Sequence, residues 1–154
     1  MIRYLRQRDQ HSCIPTAIVN VRKWLGQQAT HKDVATLARK YRVSEYQGMS
    51  VLELTIALEF VANLKTTRLK SFTHRVAFDR CLQAGKILLL IVEGHCFLVV
   101  EQQQDKYKAI NLFKEETESW ITWSWLETRL TERAKLLHPS ILTALVIEAT
   151  NESN

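Results

Sequence analysis

Apolar residues return at helical spacing from Ile14 to Leu25, through Ala17, Ile18, Val21 and Trp24, and Gly26 supplies a stop. This pattern places Cys13 at the N-terminus of a first helix. Thr30-His31-Lys32-Asp33 has the form of a capping box and opens a second amphipathic helix, through Val34, Leu37, Ala38 and Tyr41, ending near Arg42. Ser50 and Glu53 repeat the device ahead of the apolar run from Leu54 to Val61, a third helix. A weaker helical stretch covers residues 75–84 and stops at Gly85.

Beyond Gly85 the periodicity changes. Lys86 to Val92 reads as an aliphatic strand, Glu93-Gly94 as a turn, and His95 to Glu101 as a second strand, together a hairpin. A polar turn at 102–106 leads to a strand from Tyr107 to Leu112, and after a helix near 124–134 a last strand runs from Ile141 to Glu148. Trp120, Trp123 and Trp125 fall at helical spacing and read as core anchors rather than a ligand surface. Helices first and an antiparallel sheet second make an α+β fold.

The chain has 154 residues, 46% of them apolar, enough for one core, so a single domain over 1–154 is expected. Four glycines and two prolines, without repeats or biased tracts, leave little room for linkers. The net charge of +5 attracts nucleic acid, anionic membrane or acidic peptide alike, but the basic residues are scattered and form no nucleic-acid motif. The longest aliphatic run, residues 87–92, is too short to span a bilayer, and the first eight residues carry three arginines and no signal-peptide core. Cys13, Cys81 and Cys96 are odd in number, which leaves a free thiol and points to a reducing, cytoplasmic setting.

A thiol attacks as thiolate, and the unpaired N–H groups of a helix N-terminus favour that form, so Cys13 is the candidate nucleophile; the ordinary role of a cysteine is a small buried apolar residue. Gln7 lies six positions before Cys13, where its amide could hold the oxyanion of an attacked carbonyl; Gln10, three before it, is the rival. His95 opens a strand, and Asn111, sixteen positions on, ends the next, so adjacent antiparallel strands could join them. Asn111 equally suits a plain turn. His11, His31, His74 and His138 lack partners at metal-ligand intervals, and there is neither a phosphate-binding glycine loop nor a Gly-x-Ser-x-Gly elbow. No metal or organic cofactor is implied.

The segment from Gln7 to Ala17, followed by Trp24-Leu25-Gly26, resembles the start of the bacteriocin-processing peptidases, papain-like enzymes of double-glycine leaders. Gly48-Met49-Ser50-Val51-Leu52-Glu53-Leu54 and Ile91 to Val100 resemble that family's middle helix start and its histidine strand, so the similarity runs from about Tyr4 to Val146. The resemblance implies a Cys13–His95 pair, Asn111 orienting the histidine and Gln7 serving the oxyanion. It also implies a peptide or leader-peptide substrate and a transporter or partner supplied in trans. Ser12, Ile14 and Asn111-Leu112 stand where the family usually has Asp, Gly and Asp-Pro. The same machinery suits deamidation or acyl transfer, and the departures leave open a module that binds peptide without cutting it.

Overall fold

The computed structural model describes residues 1–69, 75–92, 95–136 and 144–150. In these residues the chain forms α1 (Cys13–Trp24), α2 (His31–Lys40), α3 (Val51–Glu59), β1 (Leu64–Arg68), α4 (Arg75–Gln83), β2 (Ile87–Val92), β3 (His95–Gln103), β4 (Lys106–Phe113), β5 (Glu116–Thr122), α5 (Trp123–Leu136) and β6 (Ala144–Ala149). The strands make one antiparallel sheet in the order β1-β6-β2-β3-β4-β5. No helix among the described residues is long and apolar enough to cross a membrane.

Local signals explain most of these elements. Ser50 and Glu53 complete a reciprocal cap at α3, with Glu53 N–H donating to Ser50 Oγ at 3.1 Å and Ser50 N–H to Glu53 Oε1 at 3.0 Å. At α2 the Thr30 N–H donates to Asp33 Oδ2 at 2.7 Å. Gly26 takes φ +78°, a left-handed turn that costs glycine nothing and lets the Gln27 N–H close on Arg22 O beyond the last turn of α1.

Side chains of alternating strand residues divide the core in two. Ile87, Leu89, Ile91, Cys96, Leu98 and Ile110 face Ile14, Ala17 and Ile18 of α1 and Leu54 and Leu58 of α3. Leu88, Leu90, Phe97, Val99 and Tyr107 face Phe78 of α4 and Leu126 and Leu130 of α5. Strand β2 is apolar throughout because both of its faces are covered. Its register pairs Val92 with His95, which sets the histidine at the end of the sheet, and α1 packs on β3, which brings the start of the helix to the same end.

Two strands depart from the pattern read in the sequence. Strand β1, Leu-Lys-Thr-Thr-Arg, is an exposed edge strand with no apolar alternation to announce it. Strand β5 takes Trp120 out of the helix. That ring is 41% exposed on the opposite edge, beneath Lys108 Nζ at 5.2 Å, whereas Trp123 packs edge-on against Phe78 with ring centroids 5.0 Å apart. The change comes at Thr122, whose Oγ1 accepts the Trp125 N–H at 3.2 Å and so caps α5. The expected Glu93-Gly94 turn, and residues 141–143 of the last strand, lie outside the described residues.

Phe78 is fully buried and anchors α4 on the sheet. Phe78→Ala should lower the unfolding free energy by about 3–5 kcal/mol in urea titrations followed by circular dichroism. A loss under about 1 kcal/mol would mean that the second core does not depend on this ring.

Candidate active site

Asp9 shapes the approach to α1. Its Oδ1 accepts the N–H groups of His11 at 3.1 Å and Ser12 at 2.9 Å, turning the chain, and the Ser12 carbonyl then accepts the Thr16 N–H at 2.9 Å to begin the helix. Ser12 is buried, and its side chain makes no cap to the helix. Cys13 is the first helical residue and half-buried, with its thiol at the N–H groups of Cys96, Ile14 and its own residue.

Those N–H groups do not make Cys13 an acidic thiol, contrary to what a helix terminus alone suggests. Burial pushes its pKa up and outweighs the N–H groups, which pull it down, while the nearby Asp9 carboxylate adds to the push. Burial thus makes the thiolate harder to form at Cys13. Burial also raises Cys81, with Lys86 opposing it, and raises the fully buried Cys96 much further.

His95 directly precedes Cys96, whose backbone N–H the Cys13 thiol meets, so the two residues are neighbours in the fold. The imidazole Nε2 stands 2.6 Å from the Asn111 carbonyl oxygen, and the ring stacks on Phe97 with centroids 6.3 Å apart. A carbonyl only accepts, so Nε2 is the donor of this contact, and in the neutral ring the lone pair falls on Nδ1.

The contact between His95 and Asn111 thus runs through the main chain, not through the side-chain amide that a Cys-His-Asn arrangement suggests. Asn111 has φ +59°, in the left-handed region that asparagine tolerates better than most residues, at a register shift between β4 and β5. Its 8%-exposed side chain turns elsewhere: Oδ1 accepts the Gln7 N–H at 3.0 Å, and Nδ2 donates to Leu5 O at 2.8 Å.

Gln7 is held close by as a result. Its Nε2 donates to Asp9 O at 2.7 Å, leaving one N–H of the amide to spare, and its buried Oε1 has no hydrogen-bond partner. Gln7, Gln10, His95, Asn111 and Phe113 are among the residues around a cleft of about 340 Å³, and among the described residues Cys13 is not part of its lining. Gln10 is exposed there. No three His, Cys, Asp or Glu side chains among the described residues gather closely enough to hold a metal ion.

Sequence reasoning passed over Asp9, which shapes the loop and adds charge beside the thiol, and Asn20, a fully buried amide on α1. Asn20 carried a signal, being a polar residue between Val19 and Val21 on a largely apolar helix.

No protein-family model matches the sequence, and no curated protein matches it significantly. Solved structures do. The peptidase domain of Streptococcus ComA, a bifunctional ABC transporter of a quorum-sensing pathway, superposes with TM-score 0.67 at 18% identity, over 97% of this chain and 100% of that one. A C39-like peptidase from Bacillus anthracis gives TM-score 0.70 at 11% identity, covering 98% and 96%. A double-glycine motif protease from a PCAT transporter, solved with its leader peptide, gives 0.62 at 10% identity, covering 96% and 89%. The chain accordingly has the α+β, papain-like fold of the C39 peptidases, the fold that its resemblance to the bacteriocin-processing enzymes implied.

Proposed function

We propose that the protein is a cysteine peptidase in which Cys13 is the nucleophile and His95 its base. The observation that carries this reading is the shared corner: the Cys13 thiol meets the N–H of the residue after His95, and the Asn111 carbonyl leaves His95 Nδ1 as the basic nitrogen. The Nδ1 lone pair takes the thiol proton as sulfur attacks the substrate carbonyl carbon. The tetrahedral oxyanion is held by the Cys13 N–H and the spare N–H of Gln7. Collapse breaks the C–N bond, with the imidazolium giving its proton to the leaving amine, and water hydrolyses the Cys13 thioester in the same way.

The substrate proposed is a peptide carrying a leader, in keeping with the leader-bound protease that shares the fold. A transporter or other partner acts with the chain in this reading, as in the transporter-borne neighbours. Three unpaired cysteines support a reducing, cytoplasmic setting. A second reading, a domain that holds peptide without cutting it, is favoured by the burial that pushes the Cys13 thiol up and by the Gln7 amide lying on Asp9 O. A thiol-directed peptide probe separates the two. Labelling of wild type that is abolished by Cys13→Ala and reduced about 10²–10⁴-fold by His95→Ala supports the peptidase. An unreactive Cys13 that still binds peptide supports the second reading.

On a fluorogenic peptide with small residues at the cut, Gln7→Ala should lower turnover by about 10²–10³-fold with KM little changed, and Gln10→Ala should leave turnover nearly intact. The reverse pattern would move the oxyanion site to Gln10.

The raised Cys13 thiol sets a pH dependence. Its alkylation rate should climb through the alkaline range, with an inflection above the value of about 8.5 typical of an exposed cysteine. Asp9→Asn removes a negative charge that disfavours thiolate and should move the inflection down. A rate already at its plateau by about pH 7 would contradict the role assigned to burial.

A further inference from the structure

Asn20 lies on α1, seven positions after Cys13, and is 0% exposed, one turn beyond the buried Thr16. A buried carboxamide is costly unless both of its ends are paired. Here both are paired to one residue: Oδ1 accepts the Leu5 N–H at 2.7 Å, and Nδ2 donates to the Leu5 carbonyl at 3.0 Å. These are the two bonds that a neighbouring strand would offer, yet residues 1–8 belong to no strand.

Asn111 grips the same stretch from β4. Its Nδ2 donates to the same Leu5 carbonyl at 2.8 Å, and its Oδ1 accepts the Gln7 N–H at 3.0 Å. The main chain of residues 5–7 is therefore held between two side-chain amides, one on the helix that begins with Cys13, the other on the residue whose carbonyl holds His95.

We propose that Asn20 and Asn111 form a clamp on residues 5–7 that sets the register of Gln7 against Cys13 and His95, making Asn20 a positioning residue of the active site. This rests on the cysteine-peptidase reading. The reason is one of scale. An extended chain advances about 3.3–3.6 Å per residue, so a slip of one position would carry the Gln7 amide farther than any oxyanion hydrogen bond can stretch. An apolar residue at position 20 could fill the core but could not fix that register. Asn111 then makes the arrangement one piece, since a shift of Gln7 pulls on the residue that fixes the His95 tautomer.

The test compares Asn20→Ala, Gln7→Ala and the double variant, each confirmed as folded by circular dichroism. Asn20→Ala should lower turnover about 10–100-fold with little change in KM, and the double variant should be no slower than Gln7→Ala alone, because Asn20 acts through Gln7. Imidazole ¹⁵N shifts should report the Nε2-protonated tautomer of His95 in wild type and a mixture in Asn20→Ala, though Asn20 does not touch the ring. Unchanged turnover with an unchanged tautomer, or losses that multiply in the double variant, would overturn the proposal and leave Asn20 a packing residue. Should Asn20→Ala fail to fold, Leu5→Pro deletes the same N–H bond from the other partner, and the same outcomes decide. A wild type inert to both peptide and thiol probe would refute the peptidase reading, and the tautomer comparison would still decide the clamp.

Discussion

Asn111 in its left-handed conformation is the joint on which the site depends. Residues at positive φ are uncommon outside glycine and persist where their surroundings hold them. Here the holding is visible: the side chain makes two hydrogen bonds to residues 5–7, while the carbonyl receives the His95 ring. One residue thus aims a main-chain acceptor at the His95 ring and a side-chain amide at the segment carrying Gln7. The register shift between Ile110 and Phe113 releases this part of β4 from regular pairing with β5.

The chemistry at Cys13 follows from a contest between burial and hydrogen bonding. Packing α1 on β3 shields the thiol, and the desolvation of a thiolate shifts pKa further than one helix terminus does, an effect of about 0.3–1 kcal/mol. Asp9 both organises the loop before Cys13 and adds to the upward push on its thiol.

Much of this was legible in the chain. Helices α1, α2 and α3 follow from apolar spacing and from caps such as Ser50–Glu53, and β2 from its unbroken aliphatic run. Edge strands β1 and β5 were hidden because half-solvated polar residues carry little periodic signal, and the Trp120–Trp125 segment mimics a helix across what is a strand-to-helix junction. Of the site, the positions of Cys13, His95, Gln7 and Asn111 could be named from spacing and resemblance. The main-chain route from Asn111 to His95 could not, since a backbone carbonyl has no signature in the residue type that bears it. Asn20 was passed over because its partner is the Leu5 main chain and not another conspicuous side chain.

The central claim is that Gln7, held in register beside Cys13 and His95, offers the spare N–H of its amide to the reacting carbonyl. A crystal structure of the protein treated with a peptide aldehyde tests it directly. The account predicts a hemithioacetal on Cys13, with Gln7 Nε2 about 3 Å from the adduct oxygen, and with His95 Nε2 still on the Asn111 carbonyl. An adduct on another cysteine, or a Gln7 Nε2 beyond hydrogen-bond reach of the adduct oxygen while Cys13 is modified, would contradict it.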